Sequence, residues 1–186
     1  NSDDPQSLHL HVANLHERAG DAALADATHE AACKKSRWES GAWAAWLGAL
    51  MARGAVEQAK GVLQRAVDVL PQAKHVELIS KFAQLEFKHG SAARGRTTFD
   101  GVLANYPKRV DVWSVYLDME LKAGDDTLTR RLFERVTSLR HSSKKTKFFF
   151  GRYLAYARDV GDAALVKHVK ERARAWVESQ AGGGDE

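Results

Sequence analysis

Apolar residues recur along this chain in one arrangement that is repeated before five evenly spaced glycines. These glycines are separated by 34, 36, 34 and 37 residues and are Gly20, Gly54, Gly90, Gly124 and Gly161. Eleven residues before each glycine stand, in order, His9, Trp43, Ile79, Trp113 and Phe150. Eight residues before stand Val12, Trp46, Phe82, Tyr116 and Tyr153, and four residues before stand His16, Leu50, Glu86, Glu120 and Ala157. Such a period is typical of solenoid repeats.

One repeat unit predicts a pair of helices. Steps of three and four place Trp113, Tyr116 and Glu120 on one helical face. Gly124 can adopt a positive φ and end that helix, and Asp125 suits the N-terminus of the next one. Neither helix buries its apolar stripe alone, so stacked neighbours must complete the core.

The whole pattern predicts an all-α fold, a right-handed α-solenoid of about five antiparallel helix pairs similar to tetratricopeptide repeats. We expect ten helices, at about 8–19, 21–34, 40–53, 56–70, 75–89, 91–105, 111–123, 126–139, 145–160 and 162–180. They form a single predicted domain over residues 8–180, with units at about 8–37, 40–72, 75–108, 111–141 and 145–180. Segments 1–7 and 181–186 are predicted to be flexible.

Composition narrows the class of protein. The chain has 186 residues and one cysteine, Cys33, so an internal disulfide is impossible and a reducing compartment is expected. Cys33 lies among small residues and is interpreted as a packed thiol rather than a nucleophile. The longest uncharged apolar run, "SGAWAAWLGALMA", is too short to span a membrane. The chain opens without methionine, and we expect it to be a fragment of a longer protein.

Charge is distributed unevenly along the chain. Residues 1–33 carry a net charge of −5, whereas residues 140–174 hold ten bases against three acids, giving +7. The stretch "RHSSKKTK" is predicted to be an exposed basic loop, followed by a basic stripe on the last helix. The candidate binding residues are Arg140, Lys144, Lys145, Lys147, Arg152, Lys167, Lys170 and Arg174. RNA phosphate, an acidic protein partner and a merely solvated polar face all remain open as interpretations.

The other polar and aromatic repeat positions are interpreted as structural. The aromatic pairs are expected to pack helix on helix, although stacking on RNA bases is the alternative. Glu86 and Glu120 need partners on an apolar stripe. Arg135 is the candidate partner for Glu120, but Gly101 occupies the arginine position in the unit of Glu86, so no fixed pairing is visible.

No catalytic residue, cofactor or metal site is predicted. Catalysis would require a second polarised group and a pocket. The nearest histidine grouping is His9, His11 and His16, which lacks metal-ligand spacing. The glycines recur singly at helix ends and form no phosphate-binding loop.

The segments "WSVYLDME" (113–120) and "ISKFAQLE" (79–86), with "FER" at 133–135, resemble the HAT (half-a-tetratricopeptide) repeat of RNA-processing proteins. The segments "YPKRVDVWSVYLDM" (106–119) and "KFFFGRYLAY" (147–156) are similar to the carboxy-terminal HAT region of the ribosomal RNA-processing protein five family. In animals this family is known as programmed-cell-death protein eleven.

The resemblance implies a non-catalytic scaffold in pre-rRNA processing and early small-subunit assembly, located in the nucleus and nucleolus. The implied partners are other pre-ribosomal assembly proteins, and pre-rRNA or small nucleolar RNA at the basic end. It also implies OB-fold RNA-binding repeats upstream in the same protein. The alternative is a HAT-repeat scaffold of a splicing or mRNA 3′-end-processing complex.

Overall fold

The structure is a computed structural model that describes residues 5–181. The segments predicted to be flexible, 1–7 and 181–186, therefore lie mostly outside the described residues. The described part of the first segment, from Pro5 onward, belongs to a helix.

Ten helices occupy the described residues. They are α1 (Pro5–Ala19), α2 (Ala22–Lys35), α3 (Ser40–Ala52), α4 (Val56–Val69), α5 (Gln72–His89), α6 (Ala92–Asn105), α7 (Val110–Ala123), α8 (Asp126–Ser138), α9 (Ser143–Asp159) and α10 (Ala163–Ala181). Helices α1 and α5 begin three residues earlier than predicted. In both cases a proline sets the start, because its fixed φ suits the first turn or cap of a helix.

The predicted all-α fold is confirmed, since residues 5–181 contain helices and no strand. None of these helices combines the length and apolar character needed to cross a bilayer. The chain divides into two compact units after Met119, within α7. The single domain over residues 8–180 therefore stays a prediction.

In the first unit, α1 and α3, the first helices of their pairs, each pack on their own partner and on the next first helix. Helix α3 contacts both α4 and α5, and it contacts α1 as well. Leu47 and Leu50 of α3 are fully buried, and Leu78 and Phe82 of α5 belong to the same core. Burial of such side chains supplies most of the stabilisation of a helical repeat.

The glycine that ends the first helix of each unit is favoured there for one of two reasons, a positive φ or a close contact. Gly124 has a φ of 75°, as the repeat predicted, and Gly20, Gly54 and Gly161 are also positive. Gly90 differs, because its conformation does not need a positive φ. A Cβ at Gly90 would lie 2.3 Å from Glu86 Oε2 and 3.0 Å from Arg94 Nη2, so this ion pair would have to shift to admit a side chain there.

Asp26 joins the first three helices of the unit to α4. Its Oδ1 accepts hydrogen bonds from Trp46 Nε1 at 2.9 Å and Arg53 Nη2 at 2.7 Å, and its Oδ2 accepts one from Gln58 Nε2 at 3.1 Å. Arg53 also pairs with Glu17 of α1 at 2.8 Å. Burial alone would raise the pKa of Asp26, but the hydrogen bonds from Arg53, Trp46 and Gln58 lower it below its usual value.

We predict that Asp26 contributes to stability only when ionised. Because its pKa is lowered in the folded state, its contribution is complete above the unfolded value of 3.8 and is lost as pH falls through the lower folded value. Asp26→Asn should therefore be less stable than wild type near neutral pH, and the gap should close at acidic pH. Urea unfolding from about pH 2.5 to 7 would measure this gap. A gap that is constant over this range would contradict the assignment, and exposed Asp68→Asn is the control.

Helices α5 and α6 approach closely at Gly95. A Cβ there would lie 2.4 Å and 2.7 Å from the ring carbons of Phe87 and 3.0 Å from the carbonyl oxygen of Ala83. The missing side chain therefore lets the two helices of this pair come together.

Gly95→Ala is expected to destabilise the chain by about 1–3 kcal/mol, because the α5–α6 pair must open to admit a methyl group. Gly101→Ala is the matched control, since it lies in the same helix and a Cβ there meets nothing within 4 Å. This control should be neutral or stabilising by up to about 1 kcal/mol. Thermal unfolding followed by far-ultraviolet circular dichroism would compare the two. Equal effects of the two substitutions would contradict a close contact at Gly95.

The second unit has an aromatic core. The ring of Phe133 in α8 stacks on Tyr153 of α9, with centroids 4.7 Å apart and planes at 4°, and lies 5.5 Å from Tyr156. Leu132, Phe133 and Val136 form the buried face of α8. The hydroxyl of Tyr156 donates a hydrogen bond to Asp126 Oδ1 at 2.7 Å, which links α9 to the start of α8.

Candidate nucleic-acid interface

The lysines after Arg140 lie in a helix, and the prediction of an exposed loop was wrong. Helix α9 begins at Ser143, and Ser142 is its N-cap residue with extended backbone angles. The amide of Thr146 donates a backbone hydrogen bond to the carbonyl of Ser142 at 2.9 Å. Lys144, Lys145 and Lys147 therefore occupy the first two turns of α9.

These three lysines face outward. Lys144, Lys145 and Lys147 are exposed, whereas Thr146 and Phe149 between and after them are buried. The N-terminus of a helix carries the positive end of its dipole and free amide groups, which favour bound anions. Three cationic side chains at this end add to that field, and among the described residues none of them forms an ion pair.

A second group of cations lies on α10. Lys167, Lys170 and Arg174 follow one another at steps of three and four, and all three are exposed. Lys167 pairs loosely with Glu171 at 3.9 Å, and within residues 5–181 Lys170 and Arg174 have no carboxylate partner. This stripe therefore has the form that was predicted for it from the spacing.

The two groups lie at different levels of the antiparallel α9–α10 pair, because Lys144 is in the first turn of α9 whereas Lys167 is four residues from the start of α10. The helices are joined by only three residues, 160–162, and the ring of Phe150 lies 6.3 Å from that of Trp176. The start of α9 therefore lies beside the last turns of α10. Lys167 and Lys170 lie nearer the turn that joins the two helices. We call the exposed cations of the two groups together the basic surface, and they are Arg140, Lys144, Lys145, Lys147, Lys167, Lys170 and Arg174.

Three of the ten bases in residues 140–174 are not members of this surface. Arg158, which was not a candidate, is exposed in the last turn of α9. Arg152 was a candidate, but it is half-buried and has its own interaction partner. Arg172 turns inward, where its guanidinium donates to Thr137 Oγ1 at 2.8 Å and Ser138 Oγ at 2.9 Å and pairs with Glu134 Oε2 at 2.5 Å. In the sequence, Arg172 was counted only as a positive charge, and its structural contacts with α8 were not predicted.

Glu134, the acid of the "FER" segment, is a structural acceptor. Its Oε1 accepts a hydrogen bond from the hydroxyl of Tyr153 at 2.8 Å, and Nε2 of His168 lies 2.9 Å from the same oxygen. Burial, followed by the hydrogen bond to Glu134, raises the pKa of Tyr153 well above its usual value. These contacts hold α8, α9 and α10 together and so position the basic surface.

His141 adds no positive charge to the basic surface near neutral pH. Its ring is half-buried, 5.6 Å from that of Phe149. Burial lowers the pKa of His141, and the charge of Lys145 lowers it further. The field of this surface therefore comes from lysine and arginine.

The aromatic repeat positions lie in the interior, where RNA bases cannot reach them. Trp43 and Trp46 are each 4% exposed, and their rings stack on one another at 6.5 Å. Tyr116 stacks on Phe99 at 4.7 Å, and Trp113 Nε1 donates to the carbonyl of Pro107 at 2.8 Å. We therefore do not assign base stacking to these residues.

Glu86 and Glu120 are both 1% exposed. Arg94 Nε donates to both carboxylate oxygens of Glu86 at 3.1 Å, and the amide of Ser91 donates to Oε2 at 3.2 Å. Glu86 thus joins α5 to α6 across the Gly90 turn. Its partner lies in the first turn of α6, whereas sequence reasoning looked for it further along. Arg135, the predicted partner of Glu120, is exposed on α8.

No grouping of side chains in the described part of the chain is suited to bind a metal ion, because no three His, Cys, Asp or Glu residues converge. Cys33 is 2% exposed, and burial raises the pKa of its thiol to about 12. The thiol is therefore protonated at neutral pH and packs as an apolar group.

The paired helices, glycine turns and stacked cores define a helical-repeat protein, and the chain belongs to the Suppressor of forked protein (Suf) family, which matches residues 6–182. Among individual proteins it is similar to the rRNA biogenesis protein rrp5 of Schizosaccharomyces pombe, with 41% identity over 160 residues, 86% of this chain and 10% of the relative. The rRNA biogenesis protein RRP5 of Arabidopsis thaliana is 41% identical over 176 residues, 95% of this chain and 9% of the relative.

The Protein RRP5 homolog of Mus musculus is 38% identical over 178 residues, 96% of this chain and 10% of the relative. The predicted resemblance to the ribosomal RNA-processing protein five family is thereby confirmed. The chain spans about a tenth of the length of these curated relatives.

Proposed function

We propose that this chain is a non-catalytic scaffold in rRNA processing, acting in early small-subunit assembly in the nucleolus. Two relatives are named rRNA biogenesis proteins and align with almost the whole chain. A helical repeat presents an extended surface to several partners, which suits a scaffold. Other pre-ribosomal proteins are its expected partners along the repeats.

We infer that the basic surface binds the phosphates of pre-rRNA or small nucleolar RNA. The observation that carries this inference is the set of exposed, unpaired lysines at the positive end of α9, within the described chain. Phosphate contacts depend on charge and position rather than on base sequence. This surface would therefore add affinity, while sequence specificity comes from OB-fold repeats expected elsewhere in the same protein.

The test is the affinity of the chain for single-stranded RNA at several salt concentrations. Four or five phosphate contacts predict that log K falls with log salt at a slope of about −3. An affinity that is absent, or that is independent of salt, would contradict RNA binding and leave protein partners as the remaining role.

The alternative is a scaffold of a splicing or mRNA 3′-end-processing complex. The relatives reported above carry RRP5 names, which supports the ribosomal assignment over this alternative. Sedimentation of the purified chain separates the two further, because several scaffolds of the alternative class are expected to dimerise through their repeats. A stable dimer would therefore favour the alternative.

A further inference from the structure

A cleft of about 340 Å³ lies in the first unit, between the end of α2, the start of α3 and the end of α4. Its floor is apolar and is formed by Cys33, Trp43 and Val69. This volume is at the lower limit of small-molecule pockets, and it suits one large side chain of a partner better than a cofactor. The protonated thiol of Cys33 is part of this apolar lining.

The rim of the cleft is charged, and its acids are already engaged. Glu30 pairs with Lys34 at 3.6 Å and with Arg65 at 2.9 Å. Asp68 accepts a hydrogen bond from Gln64 Nε2 at 2.9 Å. Glu30 is thus compensated by Lys34 and Arg65, whereas Asp68 is bonded to a neutral amide. The three cations of the lining exceed its two carboxylates by one charge, which Arg37 supplies.

Arg37 and Trp38 extend the cleft onto the surface. The Arg37 guanidinium lies 4.6 Å from the centre of the Trp38 ring, and Trp38 is 56% exposed. Arg37 forms no ion pair with any residue in the described range. Arginine and tryptophan are among the residues that most often contribute a large share of the free energy of protein–protein binding. Stacking on Trp38 orients the Arg37 guanidinium, which can then bind a carboxylate.

The floor also contains an unused hydrogen-bond donor. Trp43 is 4% exposed, and its indole Nε1 has no acceptor within residues 5–181. Buried indole N–H groups normally find a partner. Because this Nε1 atom has almost no exposed surface, a ligand in the cleft does not reach it in this conformation, and the binding site does not depend on it.

We propose that this cleft binds a segment of a partner protein that carries one large apolar side chain flanked by aspartate or glutamate. The apolar side chain fills the floor at Trp43 and Val69, and the acids meet Lys34 and Arg37. An acidic segment fits the charge of the rim, whereas a neutral or basic one would not. This site lies in the first unit and does not depend on RNA binding by the basic surface.

The test uses a fluorescein-labelled peptide with one phenylalanine between short runs of aspartate and glutamate, measured by fluorescence anisotropy. One control peptide has alanine in place of phenylalanine, and another has lysine in place of the acids. We expect saturable binding of the first peptide and binding at least about tenfold weaker for both controls.

Two variants locate the binding. The double substitution Lys34→Glu and Arg37→Glu reverses the charge of the rim, and Val69→Trp fills the floor of the cleft. Each variant should bind the acidic peptide at least about tenfold more weakly. The matched control, Lys81→Glu with Lys88→Glu on exposed α5 positions, should stay within about twofold of wild type. Circular dichroism checks that each variant is folded.

Three outcomes would overturn the proposal. The first is the absence of saturable binding by the acidic peptide. The second is equal binding of the alanine peptide, which would show a non-specific charge effect. The third is displacement of the peptide by a short RNA oligonucleotide from a variant in which Lys144, Lys145 and Lys147 are replaced by glutamate, which would make the cleft a nucleic-acid site.

Discussion

Replacing Lys144, Lys145 and Lys147 together by glutamate is expected to lower the affinity for single-stranded RNA by at least about a hundredfold near physiological salt. The change removes three cations and places three anions at the start of α9, where the helix dipole otherwise attracts phosphate. The slope of log K against log salt should also become shallower by about 2, because three phosphate contacts are lost.

A matched variant separates this site from the effect of net charge. Lys81→Glu, Lys88→Glu and Lys108→Glu change the total charge equally at exposed positions in the first unit. Electrophoretic mobility shift and anisotropy titrations should show only a small loss for this control. If both triple variants lost affinity equally, RNA binding would be a general charge effect and the basic surface would not be the site.

Phe133→Ala is expected to destabilise the second unit by about 3–5 kcal/mol. Phe133 is 0% exposed and stacks on both Tyr153 and Tyr156, so truncation leaves a cavity and removes two ring contacts. The loss should reach α9 and α10, since Phe133 packs beneath the helix that starts the basic surface. RNA affinity should fall with stability in this variant.

Phe148→Ala provides the control for this prediction. Phe148 is 48% exposed on α9, two residues before the buried Phe150. Its truncation should cost less than about 1 kcal/mol. Urea unfolding of both variants gives the comparison, and similar losses for the two would contradict a core centred on Phe133.

The repeat pattern was sufficient to predict the helix pairs. The aromatic residues at fixed distances before each glycine predicted which helices exist and where most of them end, because both features depend on local spacing. The start of α9 was predicted at about 145, two residues after the observed Ser143. The exposed loop predicted over "RHSSKKTK" was wrong, because a polar stretch whose lysines would oppose the dipole of a helix N-terminus favours a loop. The lysines nevertheless lie at the N-terminus of α9, and a bound anion would reduce the unfavourable interaction between their charges and the helix dipole.

Side-chain partners could not be predicted from the repeat. Asp26 meets Trp46, Arg53 and Gln58, which are 20 to 32 residues away, and Glu134 meets His168 at a separation of 34. These pairings differ from unit to unit, so no periodic rule identifies them. The cleft at Trp43 was missed for the same reason, since its walls come from three helices.

Cross-linking of the full-length protein within native pre-ribosomal particles tests most directly whether this scaffold touches RNA through its basic surface. Ultraviolet cross-links identified by mass spectrometry should place RNA on peptides from the start of α9 and from α10, including Lys144, Lys145, Lys147, Lys170 and Arg174. Cross-links from these peptides to proteins alone, with RNA confined to other parts of the protein, would contradict the assignment.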